Sequence, residues 1–480
     1  MCDPVNQNDQ HRNSAKAQSR IFSPFFSSSS KPSHSVVTMS SKCPSPLSGE
    51  FISSIIGLDD TNQTIKKVSK EQHITSLWAG YGTISSVEVT IMDTSTNNSP
   101  SNKKQTTKSL IIKRVKPPSS SSSSIGNQRK LKSYHIEGLF YNELAPLLIH
   151  LKQMDNDNSI PCQIATPYFI ETAEASMDSS SSPSFTFILE DLSIEYSESY
   201  SSSLSSIDQT KQAIRWLAFF HSTFFRHSEI INMLNKNDNE DDNSTCTRTV
   251  NVWEQGGYWH LQTRLDEWNS IPSYQSYFQK SAHAIDERMN ELGNGHSHTL
   301  IHGDYKDANV LFGDSGIGND SAAVVDFQYC GVGYGVKDLV MWVVSSIPSK
   351  TFHKLGGEDG VLRFYHDELC KSTEQINKFR QEQQQQQEQD QGTGLGEYYD
   401  EGDLEQFTNF DNIKMQFELA LVDYVRFMAG WGMWGSNSDY AEKRAVQILK
   451  DIAGSTANMK KFEEEDWRKA IYEKYPLTSF

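Results

Sequence analysis

The pattern of apolar and polar positions changes along the chain and divides it into two parts. From residue 72 to 115 apolar and polar residues partly alternate and β-branched residues are frequent, as in "TISSVEVTIMD", which predicts strands. The segment "YHIEGLFYNELAPLLIHL" then places apolar residues at helical spacing, and "SFTFILE" predicts another short strand. Beyond residue 191 the segments "TKQAIRWLAFFHSTFFRH", "WEQGGYWHLQTRLDEW" and "IKMQFELALVDYVRFMAGW" predict helices.

This order of elements predicts an α+β protein of two lobes, a small β-rich N-lobe and a larger helical C-lobe. We assign residues 1–49 to a disordered Ser-rich tail, 50–191 to the N-lobe and 192–480 to the C-lobe. Polar low-complexity segments near 235–246 and 380–409 are expected to be disordered inserts, because they cannot bury enough apolar surface to offset the loss of chain entropy.

Charge and cysteine content exclude several classes of protein. The two acidic inserts contain twelve acidic and two basic residues and so carry ten of the seventeen net negative charges, and the chain lacks the basic surface that nucleic-acid binding requires. Its six cysteines are scattered without a C-x-x-C pair, which disfavours a disulfide framework and a zinc site. No apolar run is long enough to span a bilayer. We expect a cytoplasmic protein, with organellar import as the alternative because the tail is basic and poor in acids.

The stretch "LIHGDYKDANVLFG" carries the candidate chemistry. Phosphoryl transfer needs a group that orients the acceptor hydroxyl, a divalent metal on the phosphates and positive charge near the transferred group. Asp304 can accept the proton of the acceptor, Lys306 can meet the transferred phosphate, and the side-chain carbonyl of Asn309 is a suitable ligand for Mg²⁺. The segments "NVLF" and "AAVVDF" predict a hairpin, whose geometry places Asn309 and Asp326 at the same end as two ligands of one metal ion.

These motifs resemble the kinase-like phosphotransferase superfamily, which includes protein kinases, aminoglycoside phosphotransferases and choline kinases. Within it, "HGDYKDANVLF" and "VVDFQ" are most similar to the CHK-like group that includes the ecdysteroid kinases. The resemblance covers residues 70–450 and implies a kinase-like fold that uses ATP and Mg²⁺. It also implies that Asp338, in "YGVKDLVMWV", holds the backbone of the catalytic loop.

The resemblance extends to the N-lobe. Gly80 and Gly82 lie between two predicted strands, where backbone amides could bind phosphates, although Ser85 replaces the third glycine of the family pattern. "SLIIKRV" resembles the strand that carries the phosphate-binding lysine, which would be Lys113. Glu137 fits the E-x-x-F-Y pattern of its carboxylate partner, with Glu143 as the alternative.

Two further regions are implied to bind nucleotide or acceptor. "FILEDLS" resembles the hinge between lobes, where the backbone from Glu190 to Leu192 would receive adenine. The aromatic stretch 256–268 provides candidates for the acceptor pocket, but an amphipathic helix packed into the core explains the same residues equally well. These candidates are Tyr258, Trp259, His260 and Arg264.

Three departures from the protein-kinase motifs favour a small-molecule acceptor over a protein acceptor. Gly303 replaces the arginine of the protein-kinase H-R-D motif, Gln328 replaces the glycine of D-F-G, and no A-P-E follows. We therefore predict a phosphotransferase that transfers the γ-phosphate of ATP to a hydroxyl of a small molecule. The alternatives are a nucleotide-binding pseudokinase scaffold and a protein kinase. Neither the acceptor nor the oligomeric state follows from the sequence.

Overall fold

The computed structural model describes residues 43–58, 62–77, 80–93, 105–117, 125–155, 159–173, 184–200, 207–225, 252–292, 298–313, 321–391 and 401–476. The described residues form a mixed α+β protein, which confirms the predicted fold class. The predicted insert near 235–246 lies outside the described residues, as do residues 1–42 of the predicted tail. Within the described ranges, no helix combines the length and the apolar character that crossing a membrane requires.

One antiparallel sheet forms the N-lobe. Its strands are β1 (Gln63–Val68), β2 (Gln72–Ser76), β3 (Gly82–Asp93), β4 (Gln105–Val115), β6 (Pro167–Ala173) and β7 (Ser184–Glu190). The intervening strand, β5 (Cys162–Ile164), pairs in a sheet of the C-lobe. The N-lobe strands follow the order β1-β3-β4-β7-β6, and β2 also pairs with β3. Every strand pair in this sheet is antiparallel.

Helices cover both faces of this sheet. Alternate residues of β3, including Val87 and Val89, are buried against the short helix α1 (Gly49–Ile55). Ser48 caps α1 by accepting a hydrogen bond from the Phe51 N–H at 3.1 Å, so the described end of the predicted tail is ordered. Residues of the opposite face pack against α2 (Ile125–Leu139), a π-helical turn at Phe140–Leu144 and α3 (Ala145–Met154).

The C-lobe contains most of the helices and two small sheets. Its strands are β5 (Cys162–Ile164), β8 (Glu198–Ser199), β9 (Thr299–Ile301), β10 (Val310–Phe312), β11 (Ala322–Val324) and β12 (Gly331–Gly333), and they pair in the orders β5-β11-β10-β8 and β12-β9. Its helices are α4 (Ile207–Thr223), α5 (Leu265–Asn269), α6 (Ser276–Leu292), α7 (Val336–Met341), α8 (Ser349–Lys354), α9 (Gly357–Gln391), α10 (Glu401–Thr408), α11 (Phe410–Trp431), α12 (Ser438–Ala453), α13 (Thr456–Lys461) and α14 (Glu464–Lys474).

Parts of the predicted insert near 380–409 are helical in the structure, and its residues 392–400 lie outside the described residues. The backbone of α9 remains helical through Gln391, and α10 is helical from Glu401. Glutamine and glutamate are good helix formers, and a helix whose first half already packs on α4 can continue without burying further surface. The lack of apolar residues in this insert therefore did not prevent its backbone from forming helix.

A second difference concerns "WEQGGYWHLQTRLDEW", which was predicted to be one helix. Trp253 instead makes an isolated bridge to Gly331, and after a turn only 261–263 and α5 are helical. Gly257 interrupts the helical pattern with a φ of +103°, and the Gly256 N–H bonds to the Val332 carbonyl at 2.7 Å. The aromatic spacing resembled an amphipathic helix, but the paired glycines allow the backbone to bond to the strand beside the catalytic loop.

Candidate active site

The loop 302–309 leaves β9 and is held by one buried carboxylate. Asp338 of α7 accepts hydrogen bonds from the backbone N–H groups of His302 at 2.7 Å and Gly303 at 2.9 Å. His221 of α4 lies 3.2 Å from the same carboxylate, and its other ring nitrogen lies 2.9 Å from the Tyr365 hydroxyl. Asp338 thus has the position that the resemblance implied, in contact with the loop backbone. Its bond to His221 was not predicted, because the two residues are separated by a long stretch of sequence.

Gly303 lies in a backbone conformation that other residues rarely adopt. Its φ is +79°, and a Cβ atom there would lie 2.1 Å from the Tyr329 carbonyl oxygen. Its own carbonyl accepts a hydrogen bond from the Tyr258 N–H at 3.1 Å. The loop is therefore packed on both sides by backbone, and glycine at this position has a steric reason in addition to its contrast with protein kinases.

Asp304, the candidate base, is buried beside a lysine. Lys306 Nζ lies 2.9 Å from its carboxylate, and the Asn309 amide donates to the same group at 3.2 Å and to its main-chain carbonyl at 2.8 Å. Burial raises the pKa of Asp304 to about 6, while Lys306 opposes the rise. A carboxylate whose pKa lies near neutrality is well matched to general-base catalysis.

The hairpin between β10 and β11 has the predicted register. Val310 pairs with Val324, and the Val325 N–H donates to the Asn309 carbonyl at 3.1 Å. This pairing brings the catalytic loop to the start of the segment that carries Asp326. The structure thus places Asn309 and Asp326 at the same end of the hairpin.

Asp326 combines an unusual backbone with an ion pair to the other lobe. Among the described non-glycine residues it alone has a positive φ, +70°. Its carboxylate lies 3.1 Å from Lys113 Nζ. Burial alone would raise the pKa of Asp326, but the charge and the hydrogen bond of this lysine, together with other nearby groups, outweigh burial and hold the pKa below its ordinary value. The adjacent Phe327 ring stacks on Phe140 with 3.6 Å between centroids, which anchors the loop against the helical segment of the N-lobe.

Lys113 and Glu137 form the predicted pair inside the N-lobe. The Nζ atom lies 2.7 Å from the nearer Glu137 oxygen, and both side chains are almost fully buried. Burial lowers the pKa of Lys113, but Asp326 and Glu137 more than offset this effect and the net shift is upward, so the lysine is charged. Of the two candidate carboxylates, the structure brings Glu137 to Lys113. Glu143 lies in the π-helical turn that follows α2.

The glycine turn and the hinge lie at the two ends of the N-lobe sheet. Gly80 and Gly82 both have positive φ, and a Cβ at Gly82 would clash with the Arg114 carbonyl, so β3 can approach β4 this closely only with glycine. At the hinge, the Glu190 N–H donates to the Thr166 carbonyl at 2.9 Å, and the Leu192 carbonyl accepts the Glu195 and Tyr196 N–H groups. These backbone bonds occupy groups that the hinge hypothesis assigned to adenine, and the roles of Glu190 and Leu192 remain predictions.

The structure separates the four acceptor candidates into two pairs. Trp259 is fully buried and His260 is 7% exposed, with a pKa lowered to about 4 mainly by burial, so both belong to the interior. Tyr258 is half-buried, and Lys306 Nζ lies 5.9 Å from its ring centroid. Arg264 lies against the same ring and donates to the Tyr258 carbonyl at 2.6 Å. Tyr258 therefore lies near the candidate base through Lys306, and Arg264, itself 7% exposed, packs against the Tyr258 ring.

An exposed aromatic residue extends this wall. Trp431, at the end of α11, is 57% exposed, stacks on Phe427 and lies near the Arg264 guanidinium. It was not among the predicted candidates, because its helix has the pattern of a core helix. Asp423 and Arg426 of the same helix form a buried ion pair at 2.7 Å.

The candidate metal ligands fit Mg²⁺. Among the described residues, no three side chains of His, Cys, Asp or Glu gather as a metal cluster. A site of one carboxylate, Asp326, and one amide carbonyl, Asn309, suits a cation that prefers oxygen ligands and completes its shell with phosphate oxygens and water. Because the Asn309 amide nitrogen bonds to Asp304, the oxygen of that side chain remains as the ligand atom.

A buried lysine–glutamate pair in a β-rich lobe, joined to a catalytic loop and a metal-binding loop, defines the kinase-like phosphotransferase class. The chain belongs to the ecdysteroid kinase-like family, whose sequence profile matches residues 83–378, more than half of its length. This match confirms the resemblance seen in the motifs. No curated protein sequence matches the chain.

Solved structures of small-molecule kinases show a distant likeness. A microcompartment-associated aminopropanol kinase is 12% identical, with 84% of this chain and 98% of that chain covered and a TM-score of 0.34. A Plasmodium vivax ethanolamine kinase is 12% identical, with coverages of 83% and 86% and a TM-score of 0.34. A GDP complex of an aminoglycoside 2′-phosphotransferase is 10% identical, with coverages of 86% and 100% and a TM-score of 0.34. These scores are low, and the family assignment does not depend on them.

Proposed function

We propose that this protein is an ATP- and Mg²⁺-dependent phosphotransferase whose acceptor is a hydroxyl of a small molecule. The observation that carries the proposal is the arrangement around Asp326. This carboxylate lies 3.1 Å from Lys113 of the N-lobe. In the β10–β11 hairpin it follows β11 at the end where the loop of Asp304 finishes at Asn309 and β10 begins. The groups for phosphate binding, metal binding and acceptor activation thus converge on one site.

Each residue has a distinct role in the proposed reaction. Lys113, held by Glu137, binds the phosphates of the nucleotide. Asp304 orients the acceptor hydroxyl and takes its proton as the bond to the γ-phosphorus forms and the bond to the leaving ADP oxygen breaks. Lys306, 2.9 Å from Asp304, adds positive charge beside the transferred group.

Asn309 and Asp326 would hold Mg²⁺, which neutralises charge on the phosphate oxygens. The protein contributes mainly position and electrostatics, because phosphoryl transfer requires little covalent chemistry from side chains. The acidic partner of the lysine is already in place in the described structure, which is the arrangement that an active kinase-like site needs.

Two observations support a small acceptor. The catalytic loop has Gly303 where protein kinases carry the arginine that reads a phosphorylated activation segment. Tyr258, whose N–H bonds to the Gly303 carbonyl, and Arg264, which contacts the Tyr258 ring, form a wall next to the loop that carries Asp304. Such a wall fits a compact molecule better than an extended peptide.

The test is an acceptor screen with purified protein, ATP and Mg²⁺, with ADP release as the readout. Choline, ethanolamine, sterols, sugars and aminoglycosides represent the main chemical classes. Acceptor-dependent ADP release, together with a phosphorylated product, would support the proposal. Mg²⁺-dependent nucleotide binding without turnover on any acceptor would instead indicate a pseudokinase scaffold. Transfer to generic protein substrates alone would indicate a protein kinase.

A further inference from the structure

The side chain of Arg264 lies among three aromatic rings next to the catalytic loop. Its guanidinium carbon is 5.3 Å from the centroid of the Tyr258 ring, 5.5 Å from that of Phe427 and 5.6 Å from that of Trp431. The rings also contact one another, because Tyr258 packs edge-to-face against Phe427 and Phe427 stacks on Trp431. Aromatic faces attract cations within about 6 Å, and several such faces together form a cage of the kind that binds quaternary ammonium groups. In this protein the aromatic cage of Tyr258, Phe427 and Trp431 is occupied by a cation of the chain itself.

A hydrogen bond and an ion pair hold the guanidinium inside this cage. Arg264 Nε donates to the Tyr258 carbonyl at 2.6 Å, and Arg264 Nη1 lies 3.2 Å from the Glu267 carboxylate. The arginine as a whole is 7% exposed. A paired and almost fully buried charge leaves its position only at the cost of these bonds, and its departure would leave the Glu267 carboxylate without its partner. A ligand therefore meets the cage with the guanidinium already in place.

The cage adjoins the acceptor side of the proposed active site. The centroid of the Tyr258 ring lies 5.9 Å from Lys306 Nζ, which in turn is 2.9 Å from the Asp304 carboxylate. Trp431 is 57% exposed, so the cage also has a face that is open to solvent. A molecule that binds against Tyr258 with its hydroxyl towards Asp304 is thus close to two cationic side chains, Lys306 and the caged arginine.

We propose that Arg264 is a specificity-determining residue that excludes cationic acceptors. It fills the cage in which a quaternary ammonium group would otherwise bind, and its own charge repels such a group at short range. The acceptor is then a hydroxyl compound whose part beside Tyr258 is uncharged or anionic, and an anionic group gains charge-assisted hydrogen bonds from a guanidinium. The proposal rests on the proposed function, because it narrows the chemical class of the acceptor for that site.

The experiment measures the binding of two alcohols of the same shape to the full chain by ligand-observed NMR titration. One is choline, and the other is the neutral alcohol in which a tert-butyl group replaces its trimethylammonium group. Wild type should bind the neutral alcohol at least about tenfold more tightly than choline. Arg264→Ala opens the cage and should reverse this preference, with the affinity for choline rising about tenfold or more. Arg264→Lys keeps a cation among the rings and should keep the preference of the wild type.

Two further variants locate the effect in the cage. Adding Trp431→Ala to Arg264→Ala removes one of the three rings and should reduce the gain in choline affinity to less than about threefold. Arg363→Ala is the matched control, because Arg363 also pairs with a carboxylate, Asp359, at 2.8 Å and lies 4.8 Å from the centroid of an aromatic ring, Phe410. Phe410 begins α11 and Trp431 ends it, so this control lies about 30 Å from the cage and should leave both affinities within about twofold of wild type.

Two results would overturn the proposal. One is a wild type that binds choline as tightly as the neutral alcohol or more tightly, and the other is an Arg264→Ala variant whose affinity for choline does not rise relative to the neutral alcohol. If Arg264→Ala fails to fold, Arg264→Met decides, because it keeps the aliphatic bulk and removes the charge: its preference for the neutral alcohol must fall at least about fivefold. Binding is measured without phosphoryl transfer, so the expected charge preference without phosphorylation of any acceptor would refute the proposed function alone.

Discussion

Asp326 of the C-lobe lies 3.1 Å from Lys113 of the N-lobe, and the backbone of Asp326 has a φ of +70°. A non-glycine residue in this conformation carries a strain of about 1 to 3 kcal/mol, and the conformation persists only where its surroundings hold it. Here the stack of Phe327 on Phe140 and the ion pair to Lys113 hold the loop from both sides. The carboxylate of this strained residue therefore connects the lysine that we propose binds phosphate with the proposed metal site.

This relationship predicts different results for two substitutions of Asp326. Asn tolerates positive φ almost as well as Asp, so Asp326→Asn removes the charge and keeps the backbone. We expect Asp326→Asn to lower turnover by about two to four orders of magnitude and to weaken the dependence of nucleotide affinity on Mg²⁺. Kinetics and nucleotide titrations with and without Mg²⁺ measure both effects.

The variant Asp326→Ala serves as the comparison. It should lose activity to the same extent and, because alanine disfavours positive φ, should also unfold at lower denaturant concentration than Asp326→Asn. A Mg²⁺ dependence of nucleotide affinity that is unchanged in Asp326→Asn would show that Asp326 is not a metal ligand.

The pKa of Asp304 predicts the pH dependence of turnover. The residue acts as a base only when it is ionised, and burial raises its pKa to about 6. Consequently kcat/KM for the acceptor should fall as the pH decreases through about 6. Lys306 favours the ionised form, so Lys306→Met should shift this acidic limb to higher pH as well as lower the maximum.

The measurement is kcat/KM between about pH 5 and pH 9 at saturating Mg²⁺-ATP. An acidic limb that stays in place in Lys306→Met, or moves to lower pH, would contradict the assignment of Asp304 and Lys306 as an interacting pair.

We predict that a side chain at position 303 displaces the catalytic loop by a local steric clash. In Gly303→Ala the new Cβ would lie 2.1 Å from the Tyr329 carbonyl, and the φ of +79° disfavours any side chain. We expect a loss of about 2 to 4 kcal/mol in the free energy of unfolding and a fall in turnover, because the loop that carries Asp304 must move. Denaturant unfolding and steady-state kinetics measure the two effects.

Gly57 provides a matched control for this substitution. Its φ is +72°, but a Cβ there meets no atom within 4 Å, so Gly57→Ala should cost about 1 kcal/mol of stability and leave turnover unchanged. Equal effects at both positions would mean that backbone conformation, and not the contact with Tyr329, decides the identity of residue 303.

We predict that a substitution of Tyr258 selectively weakens binding of the acceptor. The Tyr258 ring contacts Lys306 and Arg264, whereas the proposed nucleotide site includes Lys113, which lies 3.1 Å from Asp326. Tyr258→Ala should raise the KM for the acceptor by about tenfold or more while the Kd for Mg²⁺-nucleotide changes little. A KM that is unchanged, or a nucleotide Kd that rises equally, would place the acceptor elsewhere.

The sequence predicted the site best where its residues are close together in the chain. Asp304, Lys306 and Asn309 lie within one loop, and hairpin geometry alone relates Asn309 to Asp326. The pairing of Lys113 with Glu137 followed from family resemblance, since nothing in the spacing of a strand and a helix specifies which carboxylate points inward. The structure resolves this choice through the burial of both side chains.

Other features depend on tertiary contacts that no local pattern contains. The aromatic stretch 256–268 has helical spacing, yet Gly256 and Gly257 let its backbone bond to the catalytic region, which leaves Tyr258 partly exposed and buries Trp259. The bond between His221 and Asp338 joins two distant helices.

The most direct test of the central claim compares wild type with Asp304→Asn, using the best acceptor from the screen. The substitution keeps the size of the side chain and removes the base. The account predicts that acceptor phosphorylation, followed by mass spectrometry, falls by about two to four orders of magnitude while the Kd for Mg²⁺-nucleotide stays within about threefold of wild type. Near-normal phosphorylation of the acceptor by Asp304→Asn would contradict the account.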